Sequence, residues 1–409
     1  MSATWPASLW QRFALSFDAD RPGVATGPAF TINASLRVEG DFDPGLLVAA
    51  TRDLVARHDL LRSRLDREAV VQVVEASAAA DVDVLDDPAE VAVPHRPVSS
   101  DAVTPLAVRV ARRSPREHVL SAHLHHLMGD PATLWRLLDD LGALYTARCG
   151  GPEPDAPTGQ YGEYAAFEAE LENAGRAENE AWWNRQLDKV PLAAPPASTR
   201  GDRYAKRRPV LAPEELADLE ARARALRGSP FAALMAVLAE GMAEHTVGGD
   251  RVAFCTLFLR RDHPRWRTMA GPVITPAYLV IPFDAPSDVR GLAASMGAAQ
   301  RFSRYPVWTL ERMAGEKGAY VPFVELIPQL RPVAIPFGPA RAFVEHAAGQ
   351  PDDGRAKNLG LRFRKTTDGS LTTHLSGDGV GWTEPAVDAV LDGLAARVPA
   401  LGRAPLPAR

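Results

Sequence analysis

A mixed α/β fold, built as two layered halves with a cleft between them, is what this sequence predicts. Three observations carry that expectation. Segments with period-two alternation and segments with helical periodicity recur in both halves of the 409-residue chain. No G-x-G-x-x-G follows an early strand and no G-x-x-x-x-G-K-[ST] occurs, so a doubly wound nucleotide-binding sheet has no motif support. Finally, Leu120 to Leu138 reads as a buried strand that ends in a double histidine, turns, and enters a helix.

Composition narrows the class. Apolar residues make up 46% and charged residues 24%, as in ordinary globular domains. A net charge of −5 lacks the basic surplus of a nucleic-acid binder. No run of 18 apolar residues suggests a membrane span, and MSATWPASLWQRFALSF does not read as a secretory signal. Two cysteines, Cys149 and Cys255, are too few for a disulfide framework, which points to the cytoplasm.

In chain order, Pro6 to Ser16 reads as a short amphipathic helix and Phe30 to Val38 as a half-buried strand. Asp43-Pro44 starts a helix that runs to about His58. Leu60 to Leu65 and Ala69 to Val74 form a strand pair, and residues 86–104 a surface connection. Leu106 to Ala111 and His118 to Leu124 flank a hairpin turn. The helix from Pro131 to Arg148 has Asp130 as its cap and proline at its first position. A long helix spans Tyr161 to about Leu187, and the proline-bearing stretch 188–208 is the best linker. Helices follow at 213–226 and 229–245, strands at Arg251 to Leu259 and Pro276 to Phe283, and a helix from Asp288 to Phe302. Arg341 to Glu345, Leu359 to Arg364 and Ser370 to Leu375 read as strands, and Glu384 to Val398 as the last helix.

His125, His126 and Asp130 are the densest group of reactive side chains. With period two, Leu120, Ala122, Leu124 and His126 share one strand face, and Val119, Ser121, His123 and His125 the other. A histidine at a strand end can act as a general base. Locally, three readings stand: an active site, a helix cap with histidines serving the backbone, and a metal site using H-x-H and a carboxylate. Against the last, Leu127 and Met128 occupy the places where H-x-H-x-D-H needs Asp and His, so no metal is expected. No G-x-S-x-G supports a serine hydrolase.

His125-His126-Leu127-Met128-Gly129-Asp130 resembles the HHxxxDG motif of nonribosomal peptide synthetase condensation domains, in the chloramphenicol-acetyltransferase-like superfamily. Further segments follow in the family's order. Arg57-His58-Asp59-Leu60-Leu61-Arg62 is similar to RHExLR, Tyr161 to Phe167 to YxDYAxW, Trp183 to Leu187 to YWxxQL, and Pro322 to Ile327 loosely to PFExLV. Pro131 stands where the family has glycine, and the first motif, around Trp5 to Phe13, is degenerate.

The resemblance implies two chloramphenicol-acetyltransferase-like subdomains, residues 1–178 and 179–409, in a V-shaped arrangement with the active site in a tunnel between them. It implies a free-standing, monomeric acyltransferase that joins a carrier-bound acyl or aminoacyl thioester to an amine or hydroxyl. Peptidyl or acyl carrier proteins would be partners. A phosphopantetheine arm would arrive with the carrier, and no cofactor would be bound by the protein itself. His126 matches the active-site histidine. His125, Asp130 and Arg62 match its support, with Arg62 paired to Asp130. Met128, Gly129, Pro131, Thr275, Tyr278 and Trp382 are expected along the substrate tunnel. The arginines 260, 261, 265 and 267 and the cluster Lys206-Arg207-Arg208 are candidates for receiving an acidic carrier. The alternative is a non-catalytic platform of the same fold that binds carriers or recruits a tailoring enzyme.

Overall fold

The computed structural model describes residues 3–403 except 21, 92–97, 99–103, 188–191, 197–198, 262, 307–308, 311, 313–320, 328–333, 349–358 and 367. The elements run β1 (Ala3–Pro6), α1 (Leu9–Asp20), β2 (Thr31–Glu39), α2 (Pro44–Arg57), a 3-10 turn (Asp59–Arg62), β3 (Ser63–Asp66), β4 (Val71–Val74), β5 (Asp81–Leu85), α3 (Pro88–Val91), β6 (Leu106–Ser114), β7 (Glu117–His125), α4 (Pro131–Arg148) and α5 (Tyr161–Leu187). They continue with β8 (Tyr204–Leu211), α6 (Pro213–Ala225), α7 (Pro230–Ala243), β9 (Arg251–Leu259), β10 (Ile274–Pro282), α8 (Val289–Arg301), β11 (Phe323–Ile327), β12 (Ile335–Phe337), β13 (Ala340–Ala348), β14 (Leu359–Lys365), β15 (Leu371–Gly377) and α9 (Glu384–Asp392).

Contacts divide the chain into two units. The first comprises Met1–Ala174, Leu259–Thr275 and Leu330–Pro351; the second comprises Gly175–Phe258, Pro276–Gln329 and Asp352–Arg409.

The first unit holds a six-stranded sheet in the order β12-β13-β2-β7-β6-β5 and a small sheet β1-β4-β3. β7 pairs antiparallel with both β2 and β6, so it lies inside the sheet, buried on both faces. Leu120, Ala122 and Leu124 join Leu47 and Leu54 of α2 and Leu134, Leu137 and Leu141 of α4 in one core. Each such leucine contributes about 1.5–3 kcal/mol through burial. Val119 packs on the other side, with Ala111 and Val91. The caps follow the sequence: the Asp43 side chain accepts from the Gly45 N–H at 2.7 Å, with Pro44 at the first helical position. Gly142 lets α4 lie close over β12, since a Cβ there would meet the Pro336 carbonyl at 2.4 Å.

The second unit holds a sheet in the order β10-β9-β11-β14-β15-β8. α7, capped by Ser229, is buried along almost its whole length, from Ala232 to Met242. Its apolar composition all round fits a helix enclosed by its neighbours.

Several expectations are corrected. The stretch 188–208, read as linker, contains the start of β8, the edge strand of the second sheet. Its residues 188–191 and 197–198, and most of the connection 86–104, lie outside the described residues. β1 and β5, of four and five residues, are short strands beyond those the sequence predicts. The last helix ends at Asp392, and a separate turn, Leu394–Arg397, follows Gly393. Among the described residues, no helix is long and apolar enough to cross a membrane.

Candidate active site

β7 delivers the double histidine, and all the groups described around it belong to the first unit. The ladder with β2 pairs His125 with Thr31 and runs one step further, the His126 N–H donating to the Phe30 carbonyl at 2.7 Å. The chain then turns, closed by the Met128 N–H on the His125 carbonyl at 3.0 Å. This turn brings the Gly129 carbonyl to 2.6 Å from Nδ1 of His126. A carbonyl only accepts, so Nδ1 carries the proton, and in the neutral imidazole the lone pair lies on Nε2.

Two aromatic rings fix the imidazole plane. Phe30 stacks on it with centroids 4.9 Å apart, and Trp10 of α1 lies at the same distance, tilted by 37°. The Trp10 indole N–H donates to the His126 carbonyl at 2.9 Å. His125 is held differently. Its Nδ1 accepts from the Leu127 N–H at 3.2 Å and its Nε2 donates to the Gly27 carbonyl at 3.1 Å. With both nitrogens so engaged in the core, His125 braces the turn. His123 is pinned by Asn33 at 2.6 Å and Ser121 at 3.0 Å. Among the described residues, no three His, Cys, Asp or Glu side chains converge as a metal site requires.

Asp130 is the hinge pin of the turn, and it is buried. One carboxylate oxygen caps α4 by accepting from the Thr133 N–H at 2.6 Å, while the Thr133 hydroxyl accepts from the Asp130 N–H at 3.2 Å. The other oxygen accepts from the Val273 N–H at 3.1 Å. Its cation is Arg261, at 3.4 Å. The same guanidinium donates to the carbonyls of Met269 at 2.6 Å and Gly271 at 2.7 Å, stapling the loop that reaches Asp130.

This corrects the expected Arg62–Asp130 pair. Arg62 closes the 3-10 turn onto Asp59, three residues away, and donates to the Glu75 carbonyl. A carboxylate one helical turn distant satisfies it locally. Arg260 and Arg261 are likewise not a docking surface, since both are buried or nearly so.

The companion motifs support this arrangement. Tyr161 donates to the Ser8 hydroxyl at 2.7 Å and to the Pro272 carbonyl at 3.2 Å. Burial pushes its own pKa well above the ordinary tyrosine value. Tyr164 and Phe167 pack against Trp266, which anchors the Arg261 loop. Gly271 has φ +148°, and a Cβ there would meet the Tyr161 ring at 2.1 Å, so glycine is required. His58 bonds Asp140 of α4 at 2.8 Å, and Arg136 pairs with the same carboxylate at 2.6 Å. Burial would raise the Asp140 pKa, but His58 and Arg136 outweigh it and hold the carboxyl below its usual value.

Of the residues expected along a tunnel, Met128 is buried, its sulfur accepting from Gln11 at 3.4 Å. Gly129 packs on Leu124, and Pro131 is exposed at the first position of α4. Thr275 is fully buried, and its hydroxyl has no hydrogen-bond partner among the described residues. Tyr278 and Trp382 belong to the second unit and are buried there, the Trp382 carbonyl accepting from Tyr204 at 2.9 Å. The roles of Trp10 and Phe30 beside His126, and of Arg261 as the cation of Asp130, are not legible in the sequence, which offered Arg261 only as a docking candidate. The one available signal was that a buried Asp130 needs a cation, and the chain offers many arginines.

A family model for the condensation domain matches residues 25–314, well over half the chain. The chain belongs to the condensation-domain family of nonribosomal peptide synthesis. Phosphinothricin tripeptide synthetase PhsB of Streptomyces viridochromogenes is 27% identical over 394 residues, covering 90% of this chain and 32% of that protein. The chain spans 8% of the length of two other curated synthases that it matches. Among solved structures, the SgcC5 protein from Streptomyces globisporus superposes with a TM-score of 0.77 at 21% identity, covering 98% of this chain and 100% of that one. The X-domain in complex with OxyB from teicoplanin biosynthesis gives 0.74 at 19% identity, covering 97% and 92%. The mixed α/β fold with two large sheets is thus that of condensation domains, and such domains work with carrier proteins in peptide synthesis.

Proposed function

We propose that this protein is a condensation-type acyltransferase that joins a carrier-bound acyl or aminoacyl thioester to an amine or hydroxyl. The observation that carries this reading is the Nδ1–Gly129 hydrogen bond, which leaves His126 with Nε2 as its base. The acceptor nitrogen or oxygen attacks the thioester carbonyl carbon, and Nε2 receives the acceptor's proton. The C–S bond then breaks, and the proton passes to the departing phosphopantetheine thiolate. An α-amino acceptor has a pKa of about 7.7–8.0, so much of it is already neutral near pH 7. For amide formation, positioning by the fixed imidazole therefore outweighs proton abstraction; for an alcohol, base catalysis dominates. Asp130 and Arg261 hold the turn and do not touch substrate. Pro131, exposed at a position whose N–H the helix would not use, is compatible with this chemistry. The protein acts as a cytoplasmic monomer, with phosphopantetheine delivered by the carrier.

The test is to load carrier proteins with candidate acyl groups and follow transfer by intact-mass analysis. Transfer that disappears in His126→Ala supports the reading. The second reading, a non-catalytic platform, is favoured by the likeness to an X-domain seen in complex with OxyB. Carrier binding without transfer across a wide acyl and acceptor panel establishes it instead.

A further inference from the structure

The last turn of α1 carries a carboxylate where a helix favours a cation. Asp18 stands there with no basic residue in that turn, against the helix dipole, so its placement does not serve the helix. It serves the loop that follows. Asp18 Oδ1 accepts from the Ala25 N–H at 2.9 Å and the Thr26 N–H at 3.2 Å, and Oδ2 accepts from the Thr26 hydroxyl at 2.7 Å. Burial would raise the Asp18 pKa, but these bonds and one from the Gly23 N–H hold it below the usual carboxylate value. Of residues 22–30, Ala25 and Thr26 alone are buried, and they are the two that Asp18 holds. Beyond Thr26 the loop doubles back on itself, since a Cβ on Gly27 would meet the Gly23 carbonyl at 2.1 Å. The Gly27 carbonyl then accepts from the Phe30 N–H at 3.0 Å and from Nε2 of His125 at 3.1 Å. The Pro28 carbonyl accepts from the Val98 N–H at 2.9 Å. Phe30 is the ring stacked on His126.

We propose that Asp18 is a positioning residue for His126, acting through the loop that ends in Gly27 and Phe30. α1 then sets both aromatic walls of the imidazole. Trp10 packs on it directly, and Asp18 fixes the loop that brings Phe30 to it. Without this anchor the Gly27 carbonyl and the Phe30 ring shift together, because both lie within four residues of Thr26. His126 keeps its proton on Nδ1, which the Gly129 carbonyl holds, but loses the wall that fixes its plane. A loss of this kind falls on the geometry of the reacting atoms and not on carrier affinity. The catalytic consequence rests on the acyl-transfer reading; the hold of Asp18 on the two histidine rings does not.

Isotope-labelled histidine in the full chain reads the rings directly by NMR, with His126 assigned from a His126→Gln spectrum. Asp18→Ala should shift the His126 ring protons as the Phe30 ring current is lost. It should also shift Nε2 of His125 as the bond to Gly27 weakens. Carrier-dependent transfer should lose about tenfold or more in kcat, with KM for the loaded carrier nearly unchanged. Asp18→Asn keeps an oxygen for both N–H groups, so it should restore the ring signals and stay within about threefold of the native kcat. Thr26→Val removes the hydroxyl arm alone and should move the same signals in the same direction by less, which decides the matter if Asp18→Ala does not fold. A native chain without transfer counts against the acyl-transfer reading, while the ring signals still decide on Asp18. The proposal is overturned if folded Asp18→Ala, or Thr26→Val in its place, leaves the His125 and His126 signals where they are, or if kcat falls without any shift in them.

Discussion

Asp130 and Arg261 are separated by 131 positions in the chain and by 3.4 Å in the fold. The arginine fixes the loop that supplies the Val273 N–H, and the aspartate receives it. Removing one member of a buried pair strands the other, which costs about 3–5 kcal/mol. Asp130→Ala and Arg261→Ala are each expected to lose stability on that scale in urea unfolding. The double variant should lose less than the two together. Arg62→Ala should change stability by no more than about 1 kcal/mol. An Arg62 variant that couples to Asp130 in the cycle, while Arg261 does not, sinks the assignment.

Gly129 sets the tautomer of His126 through its carbonyl, and its Cα lies against Leu124. A Cβ there would come within 2.1 Å of the Leu124 side chain. Gly129→Ala should therefore shift the turn and reduce acyl transfer by about 10²-fold or more, within the range for a general base. Adding Leu124→Ala makes room and should restore part of the rate. Single-turnover transfer followed by mass reads both.

Trp10→Phe keeps an aromatic ring against His126 but removes the indole donor to its carbonyl. One such hydrogen bond contributes about 1 kcal/mol, so transfer should fall roughly fivefold with folding retained. If transfer is unchanged while Trp10→Ala abolishes it, ring packing alone positions the histidine.

The Asp140 carboxyl has a lower pKa folded than unfolded. Its stabilising contribution is thus full above the unfolded value of about 3.9 and is lost as pH falls through the folded value. Asp140→Asn should be less stable than the native chain at pH 7. Its stability should also decline less steeply from about pH 4 downward, as measured by unfolding across that range. An unchanged acid slope would show that other carboxylates govern it.

The local signals in the sequence were dependable where a side chain serves its own neighbourhood. Asp130 and Pro131 announced the start of α4, Ser229 that of α7, and the apolar, β-branched run Arg251 to Leu259 matches β9 to the residue. The role of Asp130 as a cap was legible for the same reason. Its cation was not. Arg62 and Arg261 are equally plausible from spacing, and only the closure of the 260–273 loop, with the Arg260 N–H on the Val273 carbonyl at 2.8 Å, brings one of them near. Trp10 was obscured by the degeneracy of its segment, and Phe30 read as an ordinary strand end. β8 was hidden because its basic run and Pro209 follow directly on a proline-bearing stretch and resemble a linker, whereas at a sheet edge such residues are tolerated.

The first turn of α1 is held from distant parts of the chain, whereas its end is held locally, Asp18 accepting from Ala25 and Thr26. Glu168 accepts from the Leu9 N–H at 2.7 Å, Glu172 binds Arg12, and the His126 carbonyl takes the Trp10 proton. During synthesis the chain emerges N-terminus first. The first turn of this helix therefore leaves the ribosome more than a hundred residues before His126, Glu168 and Glu172, the groups that hold it. The histidine's Trp10 wall joins two segments 116 positions apart, so the aromatic partner is made long before the HHxxxD turn that it orients.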